Sequence, residues 1–162
     1  LARKYFKQTR GFSFRTAHWS LLLIPVIVFI NGTFPYLGLK TENSYAMFSN
    51  LRTEGGKSNH FIVPVSAQIF DYQNEVVQIV ASTDSVLQKF ADDGLGLVLF
   101  EFRNYVNEHS PERVEYLLNG ERKIFVRGDR ASRQALGENP YVLRKLMKFR
   151  PFSIDGPQPC EH

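Results

Sequence analysis

The sequence contains one long uncharged stretch, WSLLLIPVIVFINGTFPYLGL at residues 19–39. Its centre is almost purely aliphatic, and Lys40 is the first charged residue after it. About 20 mostly apolar residues are enough to cross a bilayer as a helix. We therefore predict a transmembrane helix over residues 18–39, whereas the remainder of the chain is too polar to span a membrane.

Helix-breaking residues interrupt this stretch, first at Pro25 and then at Asn31, Gly32 and Pro35. Proline removes a backbone donor and kinks a helix, and a bilayer tolerates the freed carbonyl only where neighbouring groups satisfy it. This pattern favours the last helix of a polytopic bundle over a lone anchor. The core helix of a soluble domain is the alternative.

Because the chain begins with Leu1, we expect a fragment or a processed product.

The charges that flank the stretch indicate an orientation. Residues 1–17 carry Lys and Arg without any Asp or Glu, whereas both signs occur after residue 39. By the positive-inside rule, residues 1–17 form a basic cytoplasmic flank and residues 40–162 lie outside the cytoplasm. A signal peptide is the competing interpretation, but no small-residue cleavage motif follows the apolar run.

The rest of the chain is long enough for one small domain with its own core. We predict an interfacial segment over residues 40–58 and an α+β extramembrane domain with an extended tail over residues 59–162. The predicted fold class is thus a membrane-anchored chain, with one hydrophobic helix followed by a small α+β domain.

Runs of β-forming residues predict the strands of this domain. Residues 60–70 and 75–81 are typical of two strands joined by a hairpin loop at residues 71–74. A second hairpin is predicted around Asn119-Gly120, because this pair between apolar runs favours a tight β-turn.

Spacing and capping residues predict the helices. Asp84 can cap a short helix, and Pro140 can begin another that runs to Lys148. A third helical stripe, at spacings of three and four, is formed by Leu95, Leu99, Phe102 and Val106. The same stretch, LGLVLFEF, also fits a buried strand, and both alternatives remain open.

The net charge of +4 hides a segmented pattern. Residues 71–112 are acidic, whereas residues 113–150 are basic. Either these surfaces face each other within one fold, or the basic face lies on anionic lipid headgroups. We expect no nucleic-acid partner, because no basic helix with interleaved stacking aromatics is present.

Two stretches resemble a known family. Residues 31–60, NGTFPYLGLKTENSYAMFSNLRTEGGKSNH, are similar to the segment after the last membrane helix in bacterial HTTM proteins, relatives of the vitamin K-dependent γ-carboxylase. Residues 143–162, LRKLMKFRPFSIDGPQPCEH, resemble the end of such proteins. The resemblance implies that residues 1–39 end a multi-helix domain and that residues 40–162 are its periplasmic appendage, in a bacterial inner membrane. Eukaryotic members carboxylate glutamates with reduced vitamin K through a catalytic lysine, but no residue here matches that lysine, so the activity is not carried over.

The segment ENSYAMFSNLRTE, residues 42–54, is the strongest candidate for a functional site. Its apolar side chains suit a membrane interface, and its polar ones can line a site above the bundle. A plain interfacial helix is the alternative, as a strand-start histidine is for His60. The candidate polar residues are Glu42, Asn43, Ser44, Asn50, Arg52 and His60. They identify no cofactor and no catalytic role.

The only cysteine, Cys160, lies two residues before His162 at the C-terminus. This pair supplies two metal ligands at most, whereas zinc sites have three or four protein ligands. We therefore predict no metal site and an idle thiol. A redox-active thiol is the alternative.

The sequence carries no self-sufficient catalytic motif. We expect a noncatalytic extracytoplasmic C-terminal module of a polytopic bacterial membrane protein, packing on its membrane bundle. The alternatives are part of a membrane enzyme acting on a lipid or quinone-like substrate, and a single-span envelope protein with a partner-binding tail. The expected partners are the lipid bilayer and the preceding transmembrane helices of the same protein.

Overall fold

The apolar stretch is helical in the computed structural model, which describes residues 18–44, 46 and 51–156. A 3₁₀ turn at Trp19–Leu22 leads into helix α1 (Leu23–Thr33), and a second 3₁₀ turn follows at Phe34–Leu37. The predicted interruption at Pro25 is wrong, because this proline is the third residue of α1. Pro25 lies just after the change from the 3₁₀ turn to the α-helix, and the segment stays helical through it.

The chain divides into two compact units, residues 1–30 and residues 31–162. The second unit contains an antiparallel sheet made of β1 (Val76–Ser82), β2 (Leu95–Val98), β3 (Arg113–Leu118), β4 (Glu121–Val126) and β5 (Phe152–Ser153). The strands lie in the order β4-β3-β1-β2-β5. Its helices are α2 (Ser85–Asp92), α3 (Leu99–His109), α4 (Arg130–Leu136) and α5 (Tyr141–Leu146). An apolar helix followed by a small α+β domain is therefore confirmed.

Two apolar clusters, one on each face of the sheet, form the core. Leu97 belongs to one cluster and Val98 to the other, because successive strand residues point to opposite faces. The larger cluster combines strand residues with α2, α3 and α4: Val77, Ile79, Leu87, Leu97, Leu99, Phe102, Val106, Val114, Tyr116, Phe125 and Leu136. The smaller one is Val98, Phe100, Met147, Phe149 and Phe152, with Leu39, Val76 and Leu143 packed against it. Leu39, two residues after the end of the helical segment, thus packs against the smaller cluster.

The strand predicted at residues 60–70 is wrong. Only a 3₁₀ turn at Val65–Ala67 forms there, so residues 71–74 form a turn before β1 rather than a hairpin loop. The N–H groups of Ile69 and Phe70 donate to the carbonyl of Leu37 instead of to a neighbouring strand. The hairpin at Asn119-Gly120 is confirmed, with β3 and β4 paired on either side.

The stretch from Leu95 to Val106 forms both predicted structures, a strand in its first part and a helix in its second. Leu95 begins β2, which pairs with β1, and Leu99 begins α3. The helix predicted after Pro140 forms, but it ends at Leu146 rather than Lys148. Helix α4 was not predicted. The tail contributes β5, while residues 157–162, including Cys160 and His162, lie outside the described residues.

The helix cap predicted at Asp84 is confirmed, and the same carboxylate also accepts a hydrogen bond from helix α3. Its Oδ1 accepts from the N–H groups of Val86 and Leu87, both at 3.0 Å, and from the Tyr105 hydroxyl of α3 at 2.8 Å. Partial burial acts to raise the pKa of Asp84, but these hydrogen bonds outweigh it and hold the pKa below its usual range. Burial, together with the bond to this carboxylate, raises the pKa of Tyr105 to about 12.

We predict that Asp84→Ala lowers the free energy of unfolding by about 0.5–2 kcal/mol, the range measured for loss of an N-cap. Chemical unfolding of the purified chain measures this. Asp93→Ala is the matched control, because Asp93 is an exposed residue at the other end of α2. Equal losses in the two variants would contradict the capping role.

Candidate functional site

The helical segment ends in a tight turn that belongs to the second unit and is bonded to later residues of that unit. We call residues 34–42 the junction. Gly38 there has a left-handed backbone, with φ of +82°, and its N–H donates to Pro35. The carbonyl of Leu37 accepts from the N–H groups of Ile69 at 3.2 Å and Phe70 at 3.0 Å. The end of the helix is thus held by the backbone of residues 69–70.

Gly38 is required by close packing as well as by its φ angle. A Cβ at this position would lie 2.0 Å from the carbonyl oxygen of Phe70, a backbone atom that cannot rotate away. Gly56 also has a positive φ, of +68°, but a Cβ there meets no atom within 4 Å. A comparison of the two glycines therefore separates the cost of a positive φ angle from the cost of steric overlap with the Phe70 carbonyl.

A buried amide pair connects the junction to the segment that follows it. Gln73 Nε2 donates to the carbonyls of Pro35 at 3.4 Å and Leu39 at 3.2 Å. Gln68 Nε2 donates to Gln73 Oε1 at 3.3 Å and to the carbonyl of Thr53 at 2.7 Å. Gln73 is fully buried, so this network holds the helix end and residue 53 at fixed positions.

A buried carboxyl group lies beside this network. Glu54 is completely inaccessible to solvent, and its Oε2 accepts from the N–H of Thr53 at 2.9 Å. Its Oε1 has no hydrogen-bond partner among the described residues. Burial raises the pKa of Glu54 above its ordinary value, although backbone N–H groups and the charges of Arg150 and Arg52 act to lower it.

Arg150 connects the last part of the chain to this region. Its Nη1 donates to the carbonyl of Ala46 at 2.8 Å, and its Nη2 donates to the carbonyl of Leu51. Its backbone N–H donates to Thr41 Oγ1 at 3.0 Å. The guanidinium therefore binds main-chain carbonyls of the segment after the helix, which is a structural use of a basic residue.

The residues proposed from the sequence do not converge on one site. The Glu42 N–H donates to Lys148, the Asn43 carbonyl accepts from Asn31 Nδ2, and Ser44 Oγ donates to Thr41. The Arg52 guanidinium lies 5.2 Å from the centre of the Phe152 ring, near β5. Asn50 lies outside the described residues. These groups close turns or contact different elements.

His60 has a local structural role. Its Nδ1 accepts from the N–H groups of Val63 at 2.8 Å and Ile62 at 3.2 Å, and its ring meets the edge of Tyr36 at 4.9 Å. An imidazole nitrogen that accepts two backbone bonds is already engaged. His60 therefore orders the loop after it and contacts the junction.

The sequence missed Gln68, Gln73, Glu54 and Arg150 as the polar residues that organise this region. Glu54 is the last residue of the segment at residues 42–54 that the sequence singled out, but it was not among the candidate polar residues. Nothing in their local patterns distinguishes a buried glutamine or glutamate from a solvated one. Only the packing of residues 35–73 reveals their role.

A cleft of about 500 Å³ lies between residues 69–75 and the start of α5. It is lined by Ile69, Phe70, Asp71, Tyr72, Glu75, Leu99, Phe100, Arg103, Glu138, Asn139, Pro140 and Leu143. The size suits a small molecule. The charged residues of the lining are the carboxylates Asp71, Glu75 and Glu138, together with Arg103.

We predict that Gly38→Ala destabilises the chain more than Gly56→Ala does. A left-handed backbone costs a non-glycine residue about 1–2 kcal/mol, and both variants incur that cost. Only Gly38→Ala also displaces the Phe70 carbonyl, which disturbs the bonds to Leu37. Thermal unfolding of the two variants measures the difference. Similar melting temperatures would show that the junction is not closely packed.

We also predict a change in pH dependence for Glu54→Gln. The folded chain holds the Glu54 proton more tightly than the unfolded chain does, so the contribution of Glu54 to wild-type stability falls as pH rises from about 4.5, the ordinary value, through the raised pKa. The glutamine variant lacks this loss. Melting temperatures between pH 4.5 and 8 measure the difference. Glu112→Gln, at an exposed carboxylate, should keep the wild-type slope, and a Glu54→Gln slope equal to the wild-type one would contradict the prediction.

Neither metal ligation nor similarity assigns a function. Within residues 18–44, 46 and 51–156, no group of three or more His, Cys, Asp or Glu side chains is placed to hold a metal ion. Comparisons with protein-family models, curated proteins and solved structures found no match. Function is therefore inferred from the geometry of the chain itself.

Proposed function

We propose that this chain is a noncatalytic extracytoplasmic module of a polytopic bacterial membrane protein, carried on its last membrane helix and packed on the membrane bundle. The observation that carries this proposal is the exposure of the apolar helix. Each apolar side chain between residues 21 and 30 is 49–63% exposed, on all sides of the helix: Leu21, Leu22, Leu23, Ile24, Val26, Ile27, Val28, Phe29 and Ile30.

A helix that is apolar all round is found in a membrane or in the core of a large protein. Burying one such side chain stabilises a protein by roughly 1.5–3 kcal/mol. Nine such side chains left in water therefore forgo a large amount of stabilising free energy. The segment Trp19–Leu37 is long and apolar enough, by length and composition, to cross a membrane. Lipid and neighbouring helices are the surroundings that suit it best.

The use of polar groups near the helix end supports a structural rather than catalytic role. Gln73, Gln68 and Arg150 bind main-chain carbonyls, and His60 Nδ1 accepts two main-chain N–H groups. A reacting site needs polar groups directed at a ligand. The resemblance of residues 31–60 and 143–162 to HTTM proteins is consistent with an appendage of this kind.

The orientation is tested with reporter fusions. We predict that alkaline phosphatase fused after His162 is active and that green fluorescent protein at the same position is dark, because residues 1–17 carry the positive flank. The same reporters fused before Leu1 are the matched control and should behave in the opposite way. A fluorescent C-terminal fusion would contradict the proposal.

Packing on a bundle is tested with photoreactive residues at positions 26, 27, 28 and 29 of the natural gene product. Successive helical positions are 100° apart, so the four sites sample every side of the helix. Packing on membrane helices predicts protein cross-links from one side and lipid cross-links from the other. Lipid cross-links from all four positions would instead indicate a lone anchor.

A further inference from the structure

Large apolar side chains project from the loop that follows His60. Phe61 is fully exposed, Ile62 is 80% exposed, and Ile69 is 74% exposed. The loop is nonetheless ordered, because His60 Nδ1 accepts from the N–H groups of Ile62 and Val63. Apolar groups that an ordered backbone holds outward typically mark an interaction surface.

This loop is attached to the end of the apolar helical segment. His60 contacts the ring of Tyr36, and the N–H groups of Ile69 and Phe70 donate to Leu37. Tyr36 and Leu37 are the last two residues of the segment that is long enough to span a membrane. The exposed apolar loop therefore begins and ends beside the point at which that segment stops.

Helix α5 presents a second exposed surface of mixed character. Tyr141, Val142 and Leu146 are mostly exposed, and the charged groups of Arg144 and Lys145 lie 5.7 and 5.8 Å from the Tyr141 ring. Aliphatic and aromatic side chains beside lysine and arginine are the composition of helices that lie at a membrane interface.

The chain after α5 is attached to the same junction. The carbonyl of Lys148 accepts from the N–H groups of Thr41 and Glu42, both at 3.1 Å. The Lys148 ammonium lies 3.9 Å from Glu101, so Arg144 and Lys145 are the cations available to an outside partner. Ile69 and Phe70 of the loop and Leu143 of α5 line the cleft described above, so the two surfaces are neighbours.

We propose that the loop at residues 61–70 and helix α5 together form a face that lies on the surface of a bilayer containing anionic phospholipids. This proposal rests on the proposed function, because it requires the apolar helix to be in the membrane. Apolar side chains enter the interface, and Arg144 and Lys145 bind anionic headgroups. A tyrosine between them suits the headgroup level, where aromatic residues are enriched.

The test uses the full chain in lipid nanodiscs, with Cys160→Ser and one nitroxide spin label at a time. Collisions with oxygen report apolar surroundings, and collisions with a water-soluble nickel complex report water. We expect labels introduced by Ile62→Cys and Val142→Cys to collide mainly with oxygen in discs that contain phosphatidylglycerol. Ile124→Cys is the matched control, because Ile124 is an exposed isoleucine on β4 at the opposite edge of the sheet, and its label should collide mainly with nickel.

The contribution of charge is tested with the double variant Arg144→Gln/Lys145→Gln. Each basic residue near an anionic surface favours binding by about fivefold. The ratio of molecules whose face is bound to lipid to molecules whose face is free in water should therefore fall by about 25-fold. Arg130→Gln/Arg133→Gln removes the same charge from exposed positions on α4 and should leave the ratio unchanged. Replacing the anionic lipid with phosphatidylcholine should reproduce the loss. No difference between the two double variants would overturn the proposal.

A label at position 27 separates the two proposals. If that label is in lipid while the label at position 62 collides with nickel as freely as the label at position 124, only the lipid-binding face is overturned. If the label at position 27 is itself in water, the proposed function fails and this face fails with it. If the label at position 62 is shielded from both reagents, protein covers the face, and lipid is the wrong occupant.

Discussion

The carbonyl groups at the end of the apolar helical segment impose the constraint on which the rest of the structure depends. The last carbonyls of a helix have no intrahelical donors, and a buried polar group without a partner costs about 1–3 kcal/mol. Here the backbone of residues 69–70 and the Gln73 amide supply the donors. Residues 34–39 are consequently bonded to residues 69–73 of the same unit, and only glycine at position 38 permits this approach.

Buried polar side chains are concentrated around the junction. Thr41, Thr53, Glu54 and Gln73 are almost completely inaccessible, whereas the larger of the two apolar clusters is aliphatic and aromatic. A hydrogen-bonded polar network has fewer acceptable geometries than an apolar contact and therefore orders the segment it connects. The raised pKa of Glu54 reflects the same burial.

Local signals predicted the elements that local chemistry controls. Asn119-Gly120 favours a tight turn whatever lies around it, and the Asp84 carboxylate caps the helix that follows it. Predictions failed where distant residues compete for the same backbone groups. Residues 60–70 have strand-forming composition, yet the N–H groups of Ile69 and Phe70 donate to Leu37. Within residues 95–106 the chain changes from strand to helix at Leu99, directly after β2 ends. The buried polar groups Glu54 and Gln73 were likewise not predicted, because their burial depends on the packing of segments far apart in sequence.

The sequence by itself determined that one uncharged stretch is helical and apolar on every side, that a small α+β domain follows it, and where the strongest turn lies. These features depend on composition and on spacing over a few residues. Only the tertiary structure decided that the helix end is bonded to residues 69–73, that Arg150 returns to Ala46 and Leu51, and that residues 61–70 and α5 are neighbours. Each of these pairings joins residues more than 20 positions apart, and such contacts depend on the whole packed chain rather than on any local pattern.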